Sequence, residues 1–340
     1  MPLDPVFIIG TERSGSNLLR LILDSHPRFV VPHPPHVMRY FTPMVARYGD
    51  LSDPARFRRL VEDVLALVHA HIHPWPWVPG ADEVVARSRG RELFSVYVAL
   101  HEAVRDHVGK ARWGCKSTFM IDHVERVRAE WPGARLLWLY RDPRDVAASS
   151  RKSVFSTFHP VETARLWTRH QERGLALEAD GVPLFRLRYE ELVGDPEGQV
   201  RRICAWLGEE FQPPMLEFVR GEEARRSAAL SESWQNTAAP IRGDALARWR
   251  RDLSAEEVLA VEAIAGPTME RLGYVPAHPA EVRARYHAGR ARRARWWAEG
   301  RVAWARVEAR SLRKDRNVWR RWRRGWVLAQ IRLRLALRAG

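Results

Sequence analysis

The chain reads as an α/β protein: a P-loop-like parallel sheet flanked by helices, with a basic α-helical C-terminal extension. Three observations predict this. Val6–Ile9, Ala134–Tyr140 and Leu184–Leu187 are short apolar runs of the kind found in buried parallel strands. Stretches of helical spacing separate them, which sets helices on the faces of a parallel sheet. The first run also leads through "GTERSGSN" into Leu18, Leu19, Ile22 and Leu23, giving strand, glycine-bearing turn and helix.

The elements follow in order. A helix begins at Ser16, and the proline-rich piece Val31–Pro35 is a loop or lid. Helical patterns run from about Pro54 to His71 and from about Arg91 to Val108, with a second proline-rich loop at His73–Pro79. After the strand ending at Tyr140, Asp142 suits an N-cap and Pro143 the first helical position. Further helices follow Pro160, lie around Pro196–Leu207 and begin at Ser254, where Glu257 three residues on completes a capping box. Residues 1–278 are expected to form one α/β unit and 279–340 a separate helical tail, with no internal repeat.

The composition, 46% hydrophobic and 29% charged over 340 residues, belongs to a globular chain and not a disordered one. Two cysteines, Cys115 and Cys204, make no disulfide framework, so a reducing compartment, the cytoplasm, is expected. Asp4 and a strand follow Met1 directly, so no secretory leader is expected. No run of eighteen apolar residues predicts a membrane-spanning helix.

The net charge of +15 is localised. Residues 281–340 hold nineteen Lys and Arg against Glu281, Glu299, Glu308 and Asp315, so the whole excess lies in the last sixty residues. A nucleic-acid reading of the entire protein from its charge therefore fails. The tail interleaves arginine with Trp296, Trp297, Trp304, Trp319, Trp322 and Trp326, and Arg332, Arg334 and Arg338 with Leu333, Leu335 and Leu337. That pattern suits helices on an anionic membrane surface, at the inner membrane face. It equally suits packing on the α/β unit or a homodimer contact; a nucleic-acid arm is the weakest of these readings.

Two stretches carry chemistry. In the opening loop, Gly10 and Gly15 permit tight turns and close approach of an anion. The N–H groups of residues 13–17 open a helix, Ser14 and Ser16 add hydroxyls, and Arg13 supplies a permanent forked cation. The lysine of a nucleotide hydrolase is missing: Gly15-Ser16-Asn17 stands where Gly-Lys-Ser would be. The second stretch is "LLWLYRDPRDVAASSRKS". Arg141 stands at the carboxyl end of a strand, where ligands bind in such sheets, and Ser149 lies two turns into the next helix. Together they suit one phosphate; an Arg141–Asp145 ion pair with a solvated Ser149 is the plainer alternative.

The pair of stretches resembles the signature of sulfotransferases that use 3′-phosphoadenosine 5′-phosphosulfate (PAPS), in the arginine-loop branch that includes bacterial, carbohydrate and tyrosylprotein enzymes. The resemblance extends over about residues 5–275 and departs at Glu12 and at Ser16-Asn17. It implies that Arg13, Ser14, Gly15, Ser16 and Asn17 hold the phosphosulfate and that Arg141 and Ser149 hold the 3′-phosphate. "LRYEELVGDP" resembles the segment whose tyrosine lies near the adenine, which makes Tyr189 a nucleotide-binding candidate; a tyrosine packed at a strand end is the alternative. "GDALARWRRDLS" resembles a late basic segment, implying Arg248 at the cofactor phosphates, with Ser233 assisting and Arg242 as an alternative. "RWGCKSTF" resembles a further segment, implying Lys116 near the sulfonate and Ser117 near the acceptor.

The acceptor hydroxyl needs a base. In the resembled branch a glutamate often follows the His-Pro after the first helix; counting on from His26-Pro27, His33 holds that place, with His36 three residues later. His33 is the first choice and His36 the second, and His26 is structural. No metal is required, and "HAHIH" at 69–73 reads as a helix end opening into a loop. The implied activity is in-line transfer of a sulfonate from PAPS to a hydroxyl of a small-molecule, carbohydrate or glycolipid acceptor, with Trp75, Trp77 and Phe41 hinting at an apolar part. The rivals are a P-loop nucleotide kinase and a non-catalytic module that binds membrane or nucleic acid through its tail.

Overall fold

The computed structural model describes residues 3–151, 153, 159–230, 239, 241, 246–314 and 317–337. Five strands form one parallel sheet: β1 (Val6–Gly10), β2 (Phe29–Val30), β3 (Arg112–Cys115), β4 (Arg135–Tyr140) and β5 (Leu184–Arg188), in the order β2-β3-β1-β4-β5. The three expected strands are present. β2 and β3 were not expected; two and four residues long, they are too short to show a period of their own. β5 departs from the expected buried run: it is the sheet edge, half-buried, with Arg186 exposed.

Alternation along the strands builds two cores. Phe7, Ile9, Trp113, Leu136 and Trp138 pack with Leu60 and Val64 of the helix Pro54–His69 and with Val96 and Leu100 of Leu93–His107. Val6, Ile8, Leu137, Leu139 and Leu187 pack with Leu19 and Ile22 of the first helix, Ser16–Asp24, and with Val200 and Ile203 of Pro196–Leu207. Each fully buried Leu, Ile or Phe contributes about 1.5–3 kcal/mol. The helices Pro143–Ser150, Pro160–Ala179 and Ala255–Arg271 complete the unit, and the Ser254–Glu257 capping box forms as the sequence predicts.

The chain winds from β1 outward on one side through β3 to β2 and on the other through β4 to β5. Such a switch leaves a crevice beyond the carboxyl end of the central strand, where the two chain halves part. At Gly10 the backbone takes φ 135°, and a Cβ there would overlap the Leu139 carbonyl, so β1 can turn out toward the crevice only with glycine.

The tail forms the helices Ala280–Arg285, Arg290–Lys314 and Val318–Leu337. Its last helix folds back on Pro54–His69: Leu328, Ile331 and Leu335 enter the larger core, and Arg334 pairs with Asp63. Trp296 is buried beside His159, with Val161 and Ala260. Trp297, Trp304, Trp319, Trp322 and Trp326 are exposed. No helix among the described residues is long and apolar enough to cross a membrane.

Candidate active site

The carboxyl ends of β1, β3, β4 and β5 deliver Arg13, Lys116, Arg141 and Tyr189 to one crevice. The loop after β1 is tied down before it turns: Gln171 donates to Thr11 Oγ1 at 2.8 Å and accepts from the Trp138 indole at 2.8 Å. Gly15, at φ 93°, opens the first helix without a side-chain cap, so the N–H groups of its first turn have no side-chain acceptor. A Cβ on Gly15 would overlap the Tyr189 ring. The Ser14 hydroxyl is fully buried with no partner among the described residues. A buried orphan hydroxyl beside an uncapped helix start fits an anion held by the loop.

The two motifs meet in space. Arg13 Nε donates to Ser149 Oγ at 3.1 Å, and Arg141 donates to the Arg13 carbonyl at 3.4 Å. The Arg141 guanidinium lies 4.5 Å from the centre of the Tyr189 ring and 3.4 Å from Asp145, so the ion pair and the crevice position coexist. The Trp167 indole donates to the Arg141 carbonyl at 2.9 Å, which fixes the turn out of β4.

Further contacts, which the sequence alone does not predict, brace these groups. Asp145 accepts from the N–H groups of Ala247 (2.9 Å) and Trp249 (3.0 Å), and so holds Arg248 beside the helix Pro143–Ser150. Arg144 pairs with Asp142 at 2.7 Å and Glu262 at 2.8 Å and lies over Trp249 at 4.1 Å. Glu190 accepts from the Asp142 N–H at 3.0 Å and from the Tyr274 hydroxyl at 2.9 Å, joining the ends of β4 and β5. The charged letters of "RDPRD" and "YEEL" hinted at this network, but apart from the Arg144–Asp142 pair the partners lie 48 or more residues apart in the chain. Asn17 also acquires a role: its carbonyl oxygen accepts from Arg20 Nε at 2.9 Å. Buried Arg20 in turn pairs with Glu223 at 2.9 Å and reaches the Val31 carbonyl at 3.2 Å. Ser233 and Arg242 lie outside the described residues.

Three non-glycine residues among those described take positive φ: Arg13 (68°), His36 (55°) and Ala247 (53°). Each costs of order 1–3 kcal/mol and persists where the surroundings over-determine it. All three stand in or beside the segments singled out above.

On the β2–β3 side, His36 Nδ1 and Ser117 Oγ are 2.9 Å apart, next to Lys116, and the His36 ring meets Phe119 edge-on at 5.6 Å. His33 is buried, stacked on His73 at 4.9 Å and beside His71 at 5.1 Å. It also borders a cavity of about 430 Å³ whose wall includes Trp75, Trp77, Arg20 and Arg226. Phe41 is not in that wall; it is a core residue. Burial, and then the Lys116 ammonium, hold both His33 and His36 well below the usual imidazole range, so both rings are neutral near pH 7. Burial pushes Lys116 down to about 7, the Arg20 guanidinium adds to the shift, and Glu12 opposes it. Burial raises Glu12, against the pull of Arg39, Lys116, Arg13 and Arg324.

Residues 5–213 match the Sulfotransferase family model, and the chain belongs to that family. It is similar to protein-tyrosine sulfotransferase A of Caenorhabditis elegans, 24% identical over 281 residues, which span 80% of this chain and 67% of that protein. The omega-hydroxy-beta-dihydromenaquinone-9 sulfotransferase Stf3 of Mycobacterium tuberculosis is 25% identical over 248 residues, 60% of this chain and 62% of that protein. Among solved structures, the sulfotransferase domain from the curacin biosynthetic pathway shares the fold: TM-score 0.53 and 19% identity, over 81% of this chain and 99% of that one. The protein is thus a sulfotransferase, and the kinase and non-catalytic readings are set aside.

Proposed function

We propose that the enzyme takes its sulfonate from PAPS and gives it to a hydroxyl of a small-molecule, carbohydrate or lipid-like acceptor. The observation that carries this is the Arg13–Ser149 contact at 3.1 Å, which joins two motifs 136 residues apart in the chain. When bound, PAPS supplies an electrophilic sulfonate and a phosphate leaving group. Arg13, Ser14 and the first-turn N–H groups would receive the 5′-phosphosulfate, with Ser16 beside them; Arg141, Ser149 and Arg248 would receive the 3′-phosphate, with Tyr189 against the base. Asn17 acts through Arg20, by shaping the loop.

Lys116 and Arg13 neutralise charge that moves onto the leaving oxygen. Of the two histidines, His36 is our choice to accept the acceptor proton, because Ser117 orients it beside Lys116; His33 is the alternative. A neutral imidazole is ready to accept that proton, and a bound polyanion eases the charge it then carries. His36→Ala should cut kcat by about 10²-fold or more with PAP affinity unchanged. Full turnover would remove His36 from the mechanism.

The homologous enzymes are named for protein tyrosine and for a dihydromenaquinone derivative, and Trp75 and Trp77 in the cavity that His33 borders favour an acceptor with an apolar part. The exposed tail tryptophans, with the chain's basic excess around them, favour peripheral attachment to an anionic membrane face in the cytoplasm. Two such faces repel one another, so a lipid surface is favoured over a second copy. Sedimentation with phosphatidylglycerol vesicles should retain wild type and release a Trp319→Ala/Trp326→Ala variant.

A further inference from the structure

The C-terminal helix is bound into the catalytic unit, and it reaches the acceptor side of the crevice. Buried Leu328, Ile331 and Leu335 fix its lower half. Asn317, just before the helix, donates to the Ile72 carbonyl, and Arg334 pairs with Asp63. Between these anchors Arg324 is presented to the short helix Val37–Phe41 that follows His36, its guanidinium carbon 5.8 Å from the centre of the Tyr40 ring. Arg39 flanks the same ring, also at 5.8 Å, and lies 3.9 Å over Phe119, which in turn meets His36.

Neighbouring residues of the β1 loop divide their duties. Arg13 turns to Ser149 on the β4 side, while Glu12 pairs with Arg39 at 3.4 Å on the β3 side. Glu12 is thus the carboxylate that meets Arg39, and no carboxylate among the described residues lies within ion-pair distance of Arg324. Arg324 acts electrostatically on Glu12, His36 and His71, so its charge is felt where an acceptor would stand. A half-buried guanidinium without a carboxylate is unfavourable unless a ligand supplies one.

We propose that the C-terminal helix forms one wall of the acceptor site and that Arg324, with Arg39, selects an acceptor bearing an anionic group close to its reacting hydroxyl. Arg39 lies within the residues 5–213 that the family model matches, and Arg324 lies beyond them, in the tail. Arg39 is held by Glu12, and its partial exposure leaves it free to exchange that carboxylate for the acceptor's. A carboxylate, sulfate or phosphate of the acceptor would meet two forked cations, and such charge-assisted pairs are the strong ones.

The inference rests on the PAPS reading, and one titration series separates the two. Protein is first titrated with 3′-phosphoadenosine 5′-phosphate (PAP), then, saturated with PAP, with 4-hydroxyphenylacetate and with p-cresol. Wild type should bind the anionic phenol at least about tenfold more tightly, the worth of one charge-assisted contact. Arg324→Gln should bring the two phenols to within about threefold of each other, Arg324→Lys should fall between, and PAP affinity should not move. An unchanged preference in Arg324→Gln, or none in wild type, overturns the inference while PAP binding still supports the donor reading. Absent PAP binding removes the donor reading and this inference with it.

Discussion

In the proposed arrangement, Lys116 makes donor binding a proton-linked event. Burial and the nearby cation Arg20 hold its ammonium down to about 7 in the unliganded protein, so near neutral pH about half of the molecules carry the charge. A bound polyanion favours the charged form and raises the group toward the usual lysine value of about 10.4. The sign follows: the bound state holds the proton more tightly, so the contribution is fully present below about pH 7 and declines as pH rises beyond it. Between pH 6.5 and 8.5 the affinity for PAP should fall roughly 25-fold, and binding at pH 7.5 should take up roughly three-quarters of a proton. The phosphates of PAP titrate too, but equally for every variant. The assay is therefore calorimetry in buffers of different ionisation enthalpy, comparing wild type with Lys116→Gln. The difference between them should carry the proton uptake. Identical uptake and identical pH slopes in the two proteins would refute the placement of Lys116 beside the donor.

Two further outcomes are expected. Gly15→Ala puts a methyl group into the Tyr189 ring at a backbone φ of 93°, so PAP affinity should drop by at least about tenfold while the circular dichroism spectrum stays native; unchanged affinity would detach Tyr189 and Gly15 from the donor. Arg144→Ala leaves Asp142 and Glu262 without their shared cation and should cost about 3–5 kcal/mol in thermal or urea unfolding, because removing one partner of a buried ion pair strands the others.

The parts of the fold that announce themselves are those whose pattern is local. β1 and β4 are buried on both faces and read as apolar runs; the helices opening at Pro54, Pro143, Pro160 and Pro196 carry a proline in the first turn, and Asp53, Asp142, His159 and Asp195 cap them. β2 and β3 escape because two residues, or four that include Arg112 and Gly114, carry no period. Arg13, Lys116, Arg141 and Tyr189 were legible as strand-end residues, since a parallel sheet gathers those ends in one crevice. Asp145 as the clasp on Ala247 and Trp249, and the reach of Arg324 to Tyr40, depend on contacts more than a hundred residues apart along the chain. The tail misleads for a different reason: an arginine–tryptophan helix looks the same whether its apolar stripe meets lipid or protein. Here Leu328, Ile331 and Leu335 meet protein while Trp319, Trp322 and Trp326 remain outside.

The donor assignment turns on the 3′-phosphate, which Arg141, Ser149 and Arg248 would hold and which ADP lacks. Calorimetric titration of the full chain with PAP and with ADP, repeated for Arg141→Ala, tests it most directly. Two or three charge-assisted contacts predict that PAP binds at least about 10²-fold more tightly than ADP and that Arg141→Ala removes most of that margin. Equal affinity for the two nucleotides, or an undiminished preference in Arg141→Ala, would contradict it.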